Sequence, residues 1–184
     1  MSSNRHRVWE SPVGEITVVV DPEGRLVGLY NEGQKHWPAP EMLGARDDSV
    51  GENVVSQLSE YFAGTRTEFD LELAPRGTAF QAEVWAALRG IGYGETMTYG
   101  ELALAIGRPT ASRAVGAATG RNPWSIIVPC HRLVGRDGAL IGYAGGIEVK
   151  RRLLGMERGD DAPRDRRSRS VAPGRERSGS ESTE

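Results

Sequence analysis

At residues 126–132 the chain reads Ile126–Ile127–Val128–Pro129–Cys130–His131–Arg132, which places the only cysteine of 184 residues directly before a histidine. Pro129 fixes its own φ and ends the apolar run, so we expect Cys130 at a strand end, where reactive groups are commonly presented. A thiol held on such a turn beside an imidazole is typical of a cysteine that ionises near neutral pH. The alternative is a buried cysteine that packs as a small apolar side chain. The flanking motifs favour the reactive cysteine.

These motifs lie on both sides of the cysteine. They are Thr98–Ala103, Arg113–Ala117, Arg121–Pro123, Gly142–Gly146 and Lys150–Leu154, ending near Glu157. In this order they closely resemble the methylated-DNA–protein-cysteine methyltransferases, also called O6-alkylguanine-DNA alkyltransferases. The strong resemblance runs from about Phe80 to Glu157, and a weaker one covers the N-terminal segment.

Composition excludes several classes of protein. A single cysteine excludes an intramolecular disulfide framework and a zinc site built from several cysteines, and it is compatible with a reducing cytosol. The first residues contain no apolar signal segment, and no apolar run approaches the roughly 18 residues that a membrane helix needs. We therefore expect a soluble, cytoplasmic protein without a membrane partner.

Charge is distributed unevenly along the chain, although the net charge is only −2. Residues 1–75 carry 6 basic and 13 acidic side chains, whereas residues 76–157 carry 10 basic and 6 acidic ones. A basic segment beside an acidic one suggests that the middle of the chain meets a polyanion. Ordinary surface charge is the alternative.

The N-terminal part has the pattern of a small antiparallel sheet with a helix. The β-rich runs Glu15–Val20 and Arg25–Tyr30 flank a turn with Pro and Gly, and residues 8–10 supply another strand. Apolar residues from Val54 to Phe62 recur at helical spacing. In residues 68–73 every second residue is apolar, which predicts a half-buried strand.

From Thr78 onward the pattern is helical. Capping-box spacing at Thr78/Gln81 and at Thr98/Glu101 predicts two helix starts, and a third helix is predicted from Pro109 and Thr110 to about Gly120. The last two helices read as a helix-turn-helix, with an ordinary pair of packed core helices as the alternative. The third helix consists mostly of small residues, which suit close approach either to a DNA groove or to another helix.

The predicted fold class is therefore α+β. It comprises an N-terminal domain over 1–75, which the family resemblance makes ribonuclease H-like, and a mostly helical alkyltransferase and DNA-binding domain over 76–158. Residues 159–184 are rich in Arg, Ser and Glu and contain no aromatic residue, so we expect a disordered tail. We expect a solvated tail, with a weak attraction to phosphates as the alternative.

The family resemblance implies irreversible, single-turnover transfer of an alkyl group from O6 of guanine in duplex DNA to Cys130. Activity on O4 of thymine is left open. By resemblance, His131 is the base, acting through a water, and Glu157 is the acidic partner that orients and charges the imidazole. Tyr99 corresponds to the tyrosine that donates a hydrogen bond to guanine N3, and Asn122 corresponds to a hinge between the DNA-binding helices and the cysteine loop.

Recognition of DNA is also implied by the resemblance. A base inside a duplex is out of reach of a thiol, so its nucleotide must leave the stack. Arg113 corresponds to an arginine finger that takes the place of the extruded base, on a recognition helix inserted into the minor groove. The neighbouring residues expected at the DNA surface are Thr110, Ala111, Ser112 and Ala114.

The guanine pocket is expected to be lined by Tyr99, Leu133, Tyr143, Ala144 and Gly145. Many relatives carry a serine at the position of Ala144, so its hydroxyl contact is absent here while a backbone N–H remains. No cofactor and no metal are expected. The expected partner is double-stranded DNA that contains O6-alkylguanine, bound by a monomer without an obligate protein partner, with cooperative binding left open.

Two other functions compete with this one. A cysteine hydrolase would use Cys130 and His131, but acyl transfer requires an oxyanion hole and usually a sequence-distant histidine, and the only others are His6 and His36. A non-catalytic helix-turn-helix binder of alkylated DNA would bind without ever being alkylated.

Overall fold

Three β-rich runs near the N-terminus form a meander in the computed structural model, which describes residues 4–160. The strands β1 (Arg5–Ser11), β2 (Gly14–Val20) and β3 (Leu26–Asn31) pair antiparallel, so the predicted runs are confirmed. A two-residue strand, β4 (Ala45–Arg46), adds a parallel edge on β1, giving the order β3-β2-β1-β4. Two residues carry no detectable periodicity, which is why this edge was not predicted.

The strand predicted at residues 68–73 is wrong. Phe69 and Leu71 are half-buried between exposed neighbours, as the alternation indicates, and the half-buried Leu73 precedes the buried Ala74. The backbone, however, makes a single bridge, between Leu73 and Leu26. Alternation identifies which side chains turn inward, but it does not provide a partner strand.

The helices begin largely where the capping residues place them. They are α1 (Pro40–Leu43), α2 (Glu52–Phe62), α3 (Ala79–Leu88), α4 (Tyr99–Ala105), α5 (Ser112–Gly120) and α6 (Ile147–Arg158). Both predicted capping boxes are present, with reciprocal hydrogen bonds at the starts of α3 and α4. Helix α5 begins at Ser112 rather than at Pro109, because the N–H of Ala111 first closes a turn on the carbonyl of Arg108.

A core cluster of buried side chains joins the sheet to the C-terminal helices. It includes Ile16 and Leu29 of the sheet together with Leu88, Leu102 and Val115 of α3, α4 and α5. Trp124 lies at this junction: it is 5% exposed, its Nε1 donates to Leu26 O at 2.8 Å, and its ring packs edge-on against Trp85. Trp124 therefore has a structural role.

The end of the described chain is marked by the left-handed Gly159 (φ 77°), which terminates α6. Most of the predicted tail, residues 161–184, lies outside the described residues. None of the helices within residues 4–160 combines the length and apolar character needed to cross a bilayer.

Candidate active site

Cys130 lies at the start of a short 3₁₀ turn, Cys130–Arg132, which follows Pro129. The predicted apolar strand before it is wrong: residues 125–128 form turns, with Ile126 at φ 72° and Val128 N donating to Trp124 O. This segment is apolar because its side chains enter the core, not because it pairs as a strand. Downstream, β6 (Leu133–Val134) pairs in parallel with β5 (Met97–Thr98), which leads directly into α4.

The cysteine contributes to the wall of a cavity of about 140 Å³ between the two parts of the chain. We call it the cysteine cavity, and it is lined by Lys35, His36, Tyr99, Gly116, Thr119, Gly120, Cys130, Gly142, Tyr143 and Ala144. Two glycines of the lining keep it open beside Tyr99: a Cβ at Gly116 would lie 3.7 Å from the Tyr99 ring, and one at Gly142 would lie 3.3 Å from its hydroxyl. The enclosure is suited to a flat aromatic group.

The thiol itself is not pre-ionised. Burial raises the pKa of the Cys130 thiol, although a hydrogen bond from Asn122 and the charge of Lys150 act in the opposite direction. The prediction of a thiolate near neutral pH is therefore wrong for the free protein, because desolvation outweighs these stabilising neighbours. The proton must leave as the reaction proceeds.

Behind the cysteine, His131 and Glu157 form a buried pair, with 2.7 Å between Nε2 and Oε1. Burial lowers the pKa of His131, so its imidazole is neutral at physiological pH. Burial alone would raise the pKa of Glu157, but hydrogen bonds from His131 and Arg132 hold it far below its usual range. Glu157 is therefore an ionised acceptor, and the proton of His131 resides on Nε2.

Two further side chains hold Glu157 in place. Arg132 donates from Nε at 2.9 Å and from Nη2 at 3.0 Å, one to each carboxylate oxygen, and Tyr61 donates its hydroxyl proton at 2.6 Å. Sequence reasoning missed both residues. Arg132 was visible as the residue after His131, whereas Tyr61 lies 96 positions from Glu157 and resembled an ordinary core residue of α2.

Asn122 joins the end of α5 to the cysteine loop. Its Nδ2 donates to Val128 O at 2.9 Å, and its Oδ1 accepts from the N–H of Trp124 at 3.0 Å. Tyr99, in the first turn of α4, directs its hydroxyl toward the carbonyls of Ile141 and Gly142 at 3.3 and 3.5 Å. Asn122 also makes a hydrogen bond to Cys130, and Tyr99 lines the same cavity as Cys130.

The loop over the cavity is held by Lys150, a motif residue to which the sequence analysis assigned no role. The ammonium of Lys150 is fully buried and donates to the carbonyls of Leu133, Ile141 and Gly142. Burial lowers the pKa of Lys150 to about 8, although proximity to Cys130 opposes this shift. By binding these three carbonyls, Lys150 fixes the backbone path of the segment that forms the cavity wall.

The predicted pocket residues do not all reach the cavity. Tyr143 and Ala144 line it with Tyr99, whereas Gly145 packs against the N-terminal part, where a Cβ would lie 2.4 Å from Asn31 Nδ2. Leu133 is wholly buried in β6 and does not line the cavity. Its side chain packs in the core. Its carbonyl accepts a hydrogen bond from Lys150, which also binds the carbonyls of the pocket loop.

Helix α5 divides its small residues between two faces. Val115, Ala118 and Thr119 are buried against the protein, and Trp85 Nε1 donates to Ala118 O at 2.9 Å. Arg113 and Ala114 are exposed, as is Thr110 before the helix, while Ala111 and Ser112 are half-buried. The small residues on the buried face pack against the protein, which confirms that interpretation for this face, whereas approach of the exposed face to a DNA groove stays a prediction.

Metal ligands do not assemble in the described part of the chain. Over residues 4–160, no group of three His, Cys, Asp or Glu side chains is placed to hold a metal ion.

The chain matches known proteins over most of its length. Residues 4–75 match the family model of the 6-O-methylguanine DNA methyltransferase ribonuclease-like domain, and residues 79–159 match that of the DNA binding domain of the same proteins. A methylated-DNA–protein-cysteine methyltransferase of Methanosarcina acetivorans is 47% identical over 152 residues, covering 83% of this chain and 97% of the relative. One from Haemophilus influenzae is 43% identical over 159 residues, covering 86% and 88%.

A solved structure is similar as well. The crystal structure of Mycobacterium tuberculosis OGT in complex with DNA superposes with a TM-score of 0.80 at 47% identity, covering 84% of this chain and 93% of that one. The family models span most of the chain, and the relatives match nearly their full length. The chain therefore belongs to the methylated-DNA–protein-cysteine methyltransferase family.

Proposed function

We propose that this protein repairs duplex DNA by direct reversal, transferring a methyl or larger alkyl group from O6 of guanine to Sγ of Cys130. The O6–carbon bond breaks as the sulfur–carbon bond forms, and the guanine leaves with the bonding electrons. The observation that carries the proposal is the placement of the only cysteine in a small aromatic-walled cavity, with a His131–Glu157 pair behind it. No acyl-transfer chemistry is needed to explain this arrangement.

His131 is proposed to take the thiol proton. Since Nε2 donates to the ionised Glu157, Nδ1 presents its lone pair, and this buried atom has no hydrogen-bond partner within residues 4–160. Adjacent side chains do not face each other easily, so we assign the transfer to a bridging water. The carboxylate then stabilises the imidazolium that forms.

The raised pKa of Cys130 predicts how the reactivity of its thiol changes with pH. Because burial raises the pKa of Cys130, its reaction with iodoacetamide in the free protein should accelerate about tenfold per pH unit from neutral pH upward. Labelling followed by mass spectrometry measures this rate, and Cys130→Ser provides a background without any thiol. A plateau below about pH 8.5, the ordinary thiol value, would contradict it.

The departing guanine acquires negative charge that needs a positioned donor. Tyr99 lines the cysteine cavity, and among residues 4–160 its hydroxyl makes only the two long contacts to the carbonyls of Ile141 and Gly142. We propose that this hydroxyl turns to guanine N3 when the base enters. We propose that the backbone N–H of Ala144, a lining residue of the cavity, contacts O6.

Access of the base requires the nucleotide to leave the duplex. We propose that the exposed face of α5 enters the minor groove and that Arg113 fills the gap left by the base. The product thioether is stable, so each protein molecule acts once and needs no cofactor. We further propose action as a monomer in the cytoplasm.

Arg113→Ala should slow repair of duplex DNA at least about tenfold, because the extruded state loses a few kcal/mol of support. Reaction with free O6-benzylguanine, which needs no flipping, should change less than twofold. Arg136→Ala, another exposed arginine without an ion pair in the described chain, serves as the control. Equal losses with both substrates would argue against the finger role.

The experiment that tests the function as a whole is a titration of lesion DNA with protein. Duplex oligonucleotides carrying O6-methylguanine are mixed with substoichiometric protein, and the repaired fraction is followed to completion. Single-turnover transfer gives one repaired lesion for each protein molecule and then stops. Continued turnover, or binding without repair, would overturn the proposal and favour a hydrolase or a non-catalytic binder respectively.

A further inference from the structure

A second cavity, of about 240 Å³, adjoins the cysteine cavity, and the two share His36 and Gly120 as lining residues. We name it the arginine cavity after Arg76 and Arg121, which line it. We propose that it binds a backbone phosphodiester of the DNA strand whose modified guanine occupies the cysteine cavity. This inference rests on the proposed function.

The charge of the arginine cavity favours an anion. No carboxylate is among its lining residues, and neither arginine makes an ion pair within residues 4–160. Seven of the fifteen arginines in that range pair with an acid, among them Arg5, Arg46 and Arg108. Two uncompensated guanidinium groups beside one concave surface therefore mark a site for negative charge.

Arg76 is held in an orientation that leaves donors available. Its Nη1 donates to Val27 O at 3.0 Å and to Tyr30 Oη at 3.3 Å. Its Nε and Nη2 make no hydrogen bond in the described chain. A guanidinium fork fixed at one nitrogen loses little freedom when the others bind phosphate oxygens in a bidentate manner.

Arg121 lies where it can meet the same strand as the proposed finger. It follows the last residue of α5, whose nine residues rise about 13 Å, and Arg113 lies in the first turn, so the two arginines are at opposite ends of the helix. That length equals about four base-pair steps of DNA. Attraction to the helix C-terminus explains a cation at Arg121, but it does not explain Arg76, which belongs to another segment.

Lys35 adds a third cation at the shared edge. It lines the cysteine cavity, is exposed, and its ammonium has no ion-pair partner within residues 4–160. Its backbone N–H donates to Ala144 O at 3.1 Å, which attaches this N-terminal segment to the pocket loop. The positive charge thus continues from the arginine cavity to the mouth of the cysteine cavity.

The test measures DNA binding as a function of salt. In a Cys130→Ser background, which prevents reaction, anisotropy titrations of a lesion-containing duplex are compared for Arg76→Gln, Arg121→Gln and the double variant. Each single change should lower the salt slope by about 0.9 and weaken binding on the order of fivefold near 0.1 M salt. Arg89→Gln, an exposed and unpaired arginine in a separate cavity, should leave both quantities unchanged.

A phosphate scan locates the contact. Replacing single phosphates near the lesion by neutral methylphosphonates should weaken binding at one position, and this effect should vanish in Arg76→Gln/Arg121→Gln. The proposal is overturned if Arg121→Gln, which alters only an exposed side chain, binds like Arg89→Gln. Transfer from lesion duplex and from free O6-benzylguanine to the Cys130 protein is measured in parallel. If the Cys130 protein transfers no alkyl group, the proposed function is contradicted. If transfer is normal but the arginine variants bind DNA like the wild type, only the proposed phosphate site is contradicted.

Discussion

Cys130→Ser should eliminate alkyl transfer, lowering the single-turnover rate by more than about 10³-fold, as removal of a covalent nucleophile does in other enzymes. A serine hydroxyl is a far weaker nucleophile toward carbon than sulfur, and its proton is much harder to remove than that of a thiol. Quenched-flow assays with an O6-methylguanine duplex measure the loss. The chain has no other cysteine to take over the role.

The control for this variant is DNA binding. Cys130 is 5% exposed, so an added hydroxyl costs about 1–3 kcal/mol if it finds no partner, and folding must be checked by thermal unfolding. Cys130→Ala provides a second variant without a new polar group. Both should bind lesion duplex with nearly wild-type affinity. Residual transfer above about 1% of the wild-type rate in either variant would remove Cys130 from the mechanism.

Glu157→Gln should have the second largest effect, because it removes a charge that two buried groups need. The variant leaves Arg132 without its counter-ion and costs about 3–5 kcal/mol of unfolding free energy. It also removes the anion that stabilises a protonated His131, so transfer should slow about 10²-fold or more. Denaturant melts and single-turnover assays separate the two losses.

The pH dependence of the lost unfolding free energy shows whether Glu157 stabilises the fold by its charge or by its packing. The pKa of Glu157 is lowered in the folded state, so its contribution is fully present above the ordinary carboxyl value of 4.5 and disappears as the pH falls through the folded value. The stability difference between wild type and Glu157→Gln should therefore shrink below about pH 4.5. Glu148→Gln, an exposed position on the same helix, should behave like wild type at every pH. A constant difference across this range would show that packing, not charge, is what Glu157 supplies.

Local signals predicted much of the fold. The capping residues Thr78 and Thr98 fixed two helix starts because both partners of each box lie within four residues. The apolar run before Pro129 was misread, since periodicity cannot distinguish a strand from turns that face a core. The predicted start of α5 at Pro109 was wrong because residues 108–111 form a turn. No residue type in the sequence indicates the hydrogen bond that closes this turn.

For the site, the motifs identified residues near the cysteine but not the groups that support them. His131 and Glu157 were found as a pair from the resemblance, and the structure places them in contact. Tyr61 and Lys150 act through contacts between distant segments, which a single sequence does not display. The raised pKa of Cys130 was missed because burial is a property of the whole fold.

One measurement bears on the central claim most directly: peptide mass mapping of the protein after one incubation with O6-methylguanine duplex. We predict that the peptide containing Cys130 gains one methyl group in place of a hydrogen, that no other peptide changes, and that the DNA is left with normal guanine. An unmodified Cys130 peptide beside an intact lesion would contradict the account.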